Sequence, residues 1–294
     1  MQRRVDARQL TRLWPGAMAD RELVAGLARI EQHRLTVLAA AAAGEPGRIF
    51  SHVSAAAIHG LPMLSPDVAR VHVTSPKVGK RSARVMRHQA VVASEDVMVV
   101  DGVCVTSVER TACDVARLGT SRQALVVLDS ALAAGADPDR LAKILESSKR
   151  FKGVETLRRM LPMASKLSES VGESLSRAVM FEIPGIPIPR QQVTIGDDSF
   201  TARVDFLLAG TVIGEFDGMV KYSGALGGDK PAWQTVVEEK AREDKLRALG
   251  YTVVRWTWRD LQDKAAFAAL LTDALRIAGA PPFANPPLMD KATG

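Results

Sequence analysis

A mixed α/β chain, α+β overall, is the fold class this sequence predicts: a helix-rich N-terminal region with small β-hairpins, then an α/β C-terminal domain. Three observations predict it. Apolar residues recur at three- and four-residue intervals through residues 122–134, 138–147 and 154–163, the period of amphipathic helices. Short β-rich runs are punctuated by Asp101-Gly102 and by Gly210, which mark hairpin turns. Beyond residue 200, apolar strand-like segments bracket a highly charged helical stretch.

Taken in order, Arg12-Leu13-Trp14-Pro15-Gly16-Ala17-Met18 has the look of a β-wing. A winged-helix unit places two or three helices before its wing. A recognition helix is therefore expected to be missing or to lie upstream of the start, and major-groove reading then lacks its usual element. Ala55-Ala56-Ala57-Ile58 followed by Gly60-Leu61-Pro62 is a short apolar helix with a glycine stop. Residues 97–100 and 103–106 pair across Asp101-Gly102, and Thr106 or Ser107 caps a helix carrying Glu109 and Arg110. The helical stretch ends near Pro162, and Ser168 or Ser170 caps the next helix. Runs 201–208 and 211–217 form a hairpin about Gly210, a charged helix covers 238–247, and a strand covers 251–256. The expected domains are 1–163 and 164–280, with a flexible tail over 281–294.

A length of 294 residues accommodates two domains, each able to bury a core. With 47% hydrophobic and 24% charged residues the composition is that of a soluble globular chain, and no run approaches a membrane span or a signal peptide. Cys104 and Cys113 fit a reducing cytoplasm, and their spacing matches neither a zinc site nor a redox pair. His52, His59, His72 and His88 lack compact zinc-site spacing and read as satisfied structural histidines. A net charge of +6 favours a polyanionic partner. The densest basic segment is a Gly- and Ser-containing loop with Lys77, Lys80, Arg81 and Arg84, suited to phosphate contacts with DNA; the plainer reading is a solvated loop.

The chemistry-bearing residues lie between Arg203 and Trp258. Asp205, Glu215 and Asp217 sit on apolar strand-like runs, where a carboxylate is costly unless paired or bound to a metal. Side chains alternate along a strand, so Glu215 and Asp217 share a face, and Asp205 on the neighbouring strand reaches it if the register permits. Three hard oxygen donors there would hold Mg²⁺ or Mn²⁺, with Lys221 beside them to neutralise a phosphate. The alternative is pairing of these acids with nearby Arg and Lys side chains.

The Asp205…Glu215-x-Asp217 pattern, the Arg- and Glu-rich helix and the closing Gly250-Tyr251-Thr252-Val253-Val254-Arg255-Trp256-Thr257-Trp258 resemble the PD-(D/E)XK nuclease superfamily, in its branch related to very-short-patch-repair endonucleases. Ser170-Val171-Gly172-Glu173 resembles the Ser-x-x-Glu helix that opens that domain, which places Glu173 near the implied metal. The superfamily expects Lys two residues after the Glu. Here that position is Asp217, so the resemblance implies Lys221 or Lys240 as the substitute. All five histidines fall in the N-terminal half, so a His-dependent one-metal nuclease is not expected in the C-terminal domain.

The N-terminal half resembles the AbiEi family, antitoxins or regulators of a toxin–antitoxin and phage-exclusion system. The resemblance rests on Ser51-His52-Val53-Ser54-Ala55-Ala56-Ala57-Ile58-His59-Gly60-Leu61, on Val71-His72-Val73-Thr74, and on the stretch from Asp101 through Thr106, Glu109 and Arg110 to Asp114. Two functions follow as expectations. In the first, the chain is a metal-dependent DNA endonuclease of a phage-defence or toxin–antitoxin type locus, using Mg²⁺ or Mn²⁺. In the second, it is a non-catalytic antitoxin or regulator that binds a co-encoded toxin or DNA with a degenerate nuclease fold.

Overall fold

In the computed structural model, which describes residues 9–44, 47–77, 82–218 and 232–281, a β-hairpin comes first. Strands β1 (Leu10–Trp14) and β2 (Ala17–Asp20) pair antiparallel around Pro15-Gly16 as a two-stranded sheet of their own. This is the hairpin expected over residues 12–18. Asp20 caps α1 (Arg21–Ala25), its carboxylate accepting from the Glu22 and Leu23 amides at 2.9 and 3.0 Å. Helix α2 (Arg29–Ala42) buries His33, Val37 and Ala40.

The chain divides into two units, Met1–Lys166 and Leu167–Gly294. The first is built on five strands: β3 (Ile49–Phe50), β4 (Val71–Ser75), β5 (Val85–Gln89), β6 (Val97–Val100) and β7 (Val103–Thr106). Their order is β5-β4-β3-β7-β6, with β3/β7 and β4/β5 parallel and the other pairs antiparallel. The sequence shows the β6/β7 hairpin, whose Asp101 and Gly102 take φ of 51° and 75°, but not the sheet it belongs to. Strand β3 is two residues long, and β4 is buried along most of its length. Neither presents a period-two alternation.

Helix α3 (His52–His59) follows β3 directly and ends at Gly60 in the left-handed conformation. Val37, Phe50, Ala55, Ile58, Val71, Val73, Val103 and Val105 form the core between α2, α3 and the sheet. Ser107 is the N-cap of α4 (Val108–Leu118), accepting the Arg110 amide at 3.2 Å. Thr106, the other candidate cap, hydrogen bonds with Thr111 instead. Helices α5 (Ser121–Ala133), α6 (Pro138–Ser147) and α7 (Val154–Met160) follow, with a 3₁₀ turn over Leu161–Met163 where Pro162 ends the helix. All three match the apolar periodicity.

In the second unit, Ser170 caps α8 (Val171–Phe181). Strands β8 (Arg190–Asp197), β9 (Phe200–Leu208) and β10 (Val212–Asp217) form an antiparallel meander. Helix α9 (Ala232–Ala248) then crosses over to β11 (Thr252–Thr257), which lies parallel to β10, giving the order β11-β10-β9-β8. Ala209 and Gly210, at φ of 50° and 79°, make the β9/β10 turn. On one sheet face Val204, Leu207, Ile213 and Val253 pack with Leu246 of α9. On the other, Trp256 stacks on Phe206, and its indole N–H donates to Ser176 of α8 at 2.7 Å. Helices α10 (Trp258–Gln262) and α11 (Lys264–Ile277) follow, and Phe267 of α11 meets Trp256 edge-on. Among the described residues no helix is long and apolar enough to cross a membrane. Residues 282–294 of the expected tail lie outside the described residues.

Candidate functional site

Asp205 lies on β9, and Glu215 and Asp217 lie on β10. The strands are antiparallel neighbours, and Asp205 and Glu215 stand one step past the pair Gly214–Phe206. The Phe216 amide donates to Asp205 Oδ2 at 3.0 Å. Across from Asp205 the ladder between β8 and β9 skips Gln192, whose φ is 51°. There the Gln192 side-chain Nε2–H donates to Glu173 Oε2 at 2.9 Å. Burial pushes the Asp205 carboxyl up to about 6, against the charge-stabilising Phe216 N–H; the nearby Glu173 and Glu215 carboxylates add to the rise. Glu173, Asp205 and Glu215 therefore share one electrostatic environment.

What each carboxylate touches differs from a shared set of metal ligands. Glu173 is the third residue of α8, and its oxygens accept from the Glu169 amide at 3.0 Å and the Ser170 hydroxyl at 2.9 Å while Ser170 caps the Glu173 amide. Its Ser-x-x-Glu spacing thus serves a reciprocal helix cap. Glu215, only 9% exposed, is gripped by Arg242 of α9 at 2.8 and 3.3 Å, one guanidinium nitrogen to each oxygen. Arg255, its register partner on β11, adds a contact at 3.3 Å. Arg255 also meets Glu239 at 2.7 Å and Glu243 at 3.3 Å, so two guanidiniums and three carboxylates interlock between α9 and the sheet. As the site stands, these contacts do not fit a divalent cation on Glu215, because both oxygens are already engaged by positive charge. Asp217 is partly exposed at the end of β10, and Lys240 is exposed on α9. Lys221 lies outside the described residues, as do Lys80 and Arg81 of the basic loop, whose flanking Lys77 and Arg84 are exposed.

The first unit holds the arrangement that sequence spacing missed. His52 opens α3, His72 lies mid-β4, and His88 lies on the edge strand β5. The register sets Thr74 against His88 and His72 against Met86, so the two strand histidines are near neighbours on adjacent strands. His88 Nε2 and His72 Nδ1 are 3.2 Å apart, and the His52 and His88 rings stack with centroids at 3.5 Å. One ring nitrogen from each of the three lies within 4.8 Å of the others, close enough to hold one metal ion. The expectation of satisfied structural histidines holds for His59, which donates to the Thr106 carbonyl at 2.8 Å; His33 likewise bonds Ser54 at 3.0 Å. His52, His72 and His88 are satisfied too, by Ser51, Arg117 and one another, but they also cluster: their 20- and 16-residue separations carry no local motif, and the β4/β5 pairing together with α3 packed against β4 brings them together. The one sequence signal is a polar His72 between Val71 and Val73 in an otherwise apolar strand.

Asp114, 2% exposed, accepts from Arg110 at 2.9 Å and Arg117 at 3.0 Å, and Asp96 accepts from Arg140 at 2.8 Å. Arg117 also reaches His52 Nε2 at 3.2 Å. A guanidinium only donates, so His52 Nε2 is the acceptor and its Nδ1–H faces the Ser51 hydroxyl at 3.0 Å. Burial lowers His72 and His88 to about 4, and lowers His52 well below its ordinary range.

A two-unit α/β protein with an apolar N-terminal sheet bearing a histidine cluster and a charge-interlocked C-terminal sheet is what the fold and these sites define. Residues 49–163, from β3 to the turn after α7, match the family model for the AbiEi antitoxin C-terminal domain. Uncharacterized protein Rv2248 of Mycobacterium tuberculosis strain ATCC 25618 / H37Rv is 30% identical over 234 residues, covering 77% of this chain and 82% of that protein. Uncharacterized protein MT2308 of strain CDC 1551 / Oshkosh matches to the same extent. The chain belongs to one family with these mycobacterial proteins and carries an AbiEi antitoxin C-terminal-type domain. No solved structure matches it.

Proposed function

We propose that this chain is an AbiEi-like antitoxin or regulator of a toxin–antitoxin or abortive-infection system, acting in the cytoplasm by binding a co-encoded toxin or DNA. The AbiEi match over residues 49–163 carries the reading. In it, the second unit is a nuclease-like scaffold whose order α8-β8-β9-β10-α9-β11 is retained for binding. The double guanidinium grip on Glu215 supports this, because it gives the carboxylate a structural partner where a nuclease would need a metal. Lys77 and Arg84, with Lys80 and Arg81, supply phosphate contacts for DNA. Two unpaired cysteines suit a reducing compartment. The test is co-expression with the toxin encoded beside it: growth should be rescued and the two proteins should co-purify. Unrelieved toxicity with no DNA binding by the chain would reject the proposal.

A second reading, a Mg²⁺- or Mn²⁺-dependent endonuclease using Asp205, Glu215 and Asp217, draws on one observation. Burial raises the Asp205 carboxyl to about 6, and the nearby Glu173 and Glu215 add to the rise, a perturbation of the kind found at acidic functional sites. That reading requires Arg242 and Arg255 to release Glu215. It gains if purified protein cuts DNA with either metal, EDTA stops the cutting, and Glu215→Gln abolishes it.

A further inference from the structure

We propose that His52, His72 and His88 form a three-imidazole site for a transition-metal ion of the zinc class. Three imidazoles from a helix start and two adjacent strands meet inside the first unit, with one nitrogen each inside a 4.8 Å sphere of separation. Tetrahedral zinc with bonds of about 2.1 Å sets its donors roughly 3.4 Å apart. His72 Nδ1 and His88 Nε2 are already at 3.2 Å. All-nitrogen donors select a borderline ion such as Zn²⁺, Co²⁺ or Ni²⁺ over Mg²⁺, which prefers oxygen.

The surroundings supply what ligand imidazoles require. Imidazole binds metal in its neutral form, and the Arg117 contact fixes His52 in the tautomer whose Nε2 is unprotonated, its lone pair accepting from the guanidinium until an ion replaces it. Its other nitrogen is held by Ser51, which in turn accepts from Thr74 at 2.8 Å, an outer layer that orients the ring. Metal binding displaces Arg117 from Nε2. That guanidinium keeps Asp114, the Lys152 carbonyl at 3.2 Å and the Phe151 ring, so it is not stranded. His52 also sits at φ 53°, a left-handed backbone that a non-glycine residue rarely adopts and that aims its ring into the cluster. Two stacked rings do not direct both lone pairs at one ion. His88, partly exposed on the edge strand, is the ring that turns when the ion enters, and it leaves a fourth position facing the sheet edge for water or a partner side chain.

The full chain, stripped with EDTA and dialysed against one equivalent of Zn²⁺, should retain about one ion per chain and melt at a higher temperature. Co²⁺ should give the intense visible bands of a tetrahedral site. His88→Gln keeps size and polarity at a partly exposed position and should weaken binding beyond the ~10–100-fold that loss of an outer-layer partner costs. A wild-type chain that retains no zinc overturns the proposal, as does cobalt absorption unchanged in a folded His88→Gln. If that variant does not fold, the wild-type imidazole NMR signals decide. Shifts confined to His52, His72 and His88 with one equivalent of zinc support the site; no shift, or shifts at His33 and His59 instead, reject it.

Discussion

Arg242 on α9 holds Glu215 on β10 through two N–H···O contacts at 2.8 and 3.3 Å, tying the crossover helix to the strand it spans. Arg242→Met should destabilise the second unit by about 1–3 kcal/mol, because a buried carboxylate loses its bidentate partner. Glu215→Gln should cost less, about 1 kcal/mol, since Glu239 and Glu243 still hold the guanidiniums. Urea unfolding of both single variants and the double variant measures the coupling. A Mg²⁺-induced rise in melting temperature that Glu215→Gln removes would instead reveal the carboxylate as a metal ligand.

Asp205 should make the second unit respond to pH. Its folded value, about 6, lies above the unfolded 3.8. The proton therefore favours the folded state: the stabilisation is full below 3.8 and is lost as pH rises through 6. In metal-free buffer Asp205→Asn, which stays neutral and still accepts from Phe216, should match the wild type at low pH. Above pH ~7 it should exceed it by of order 1 kcal/mol after allowing for solvent screening. Equal stability across this range would show that Asp205 is ionised without cost.

In the first unit, Asp114 is buried between Arg110 and Arg117. Asp114→Asn removes the charge that both guanidiniums share and should cost about 3–5 kcal/mol, the usual penalty for breaking a buried pair from one side. Chemical denaturation followed by circular dichroism measures this. A loss under 1 kcal/mol would mean that Asp96 or solvent takes over the arginines.

Gly214 has a steric role on β10. A Cβ there would lie 2.3 Å from Trp256 Cη2 and 2.6 Å from Cζ3, so the indole packs flat on the glycine. Gly214→Ala should destabilise the second unit by about 1–3 kcal/mol and shift tryptophan fluorescence, because the buried ring must move. An unchanged spectrum with an unchanged melt would show that Trp256 has room the packing does not display.

The sequence by itself determined the elements whose signals are local. Helices α5, α6 and α7 follow from apolar period, the β6/β7 and β9/β10 hairpins from Asp101-Gly102 and Gly210, and the α8 start from Ser168 or Ser170, between which the structure chose Ser170. It also placed Asp205 and Glu215 on neighbouring strands, since a short turn leaves antiparallel pairing as the geometric outcome. Only the tertiary structure decided what the charged side chains meet. Arg242 lies 27 residues beyond Glu215, and a helical crossover brings it back over the strand; no spacing rule states that. The same holds for His52, His72 and His88. Strand order is set by long-range pairing that short, non-alternating strands do not announce, so two strand histidines and one at the start of α3 that look unrelated along the chain become neighbours.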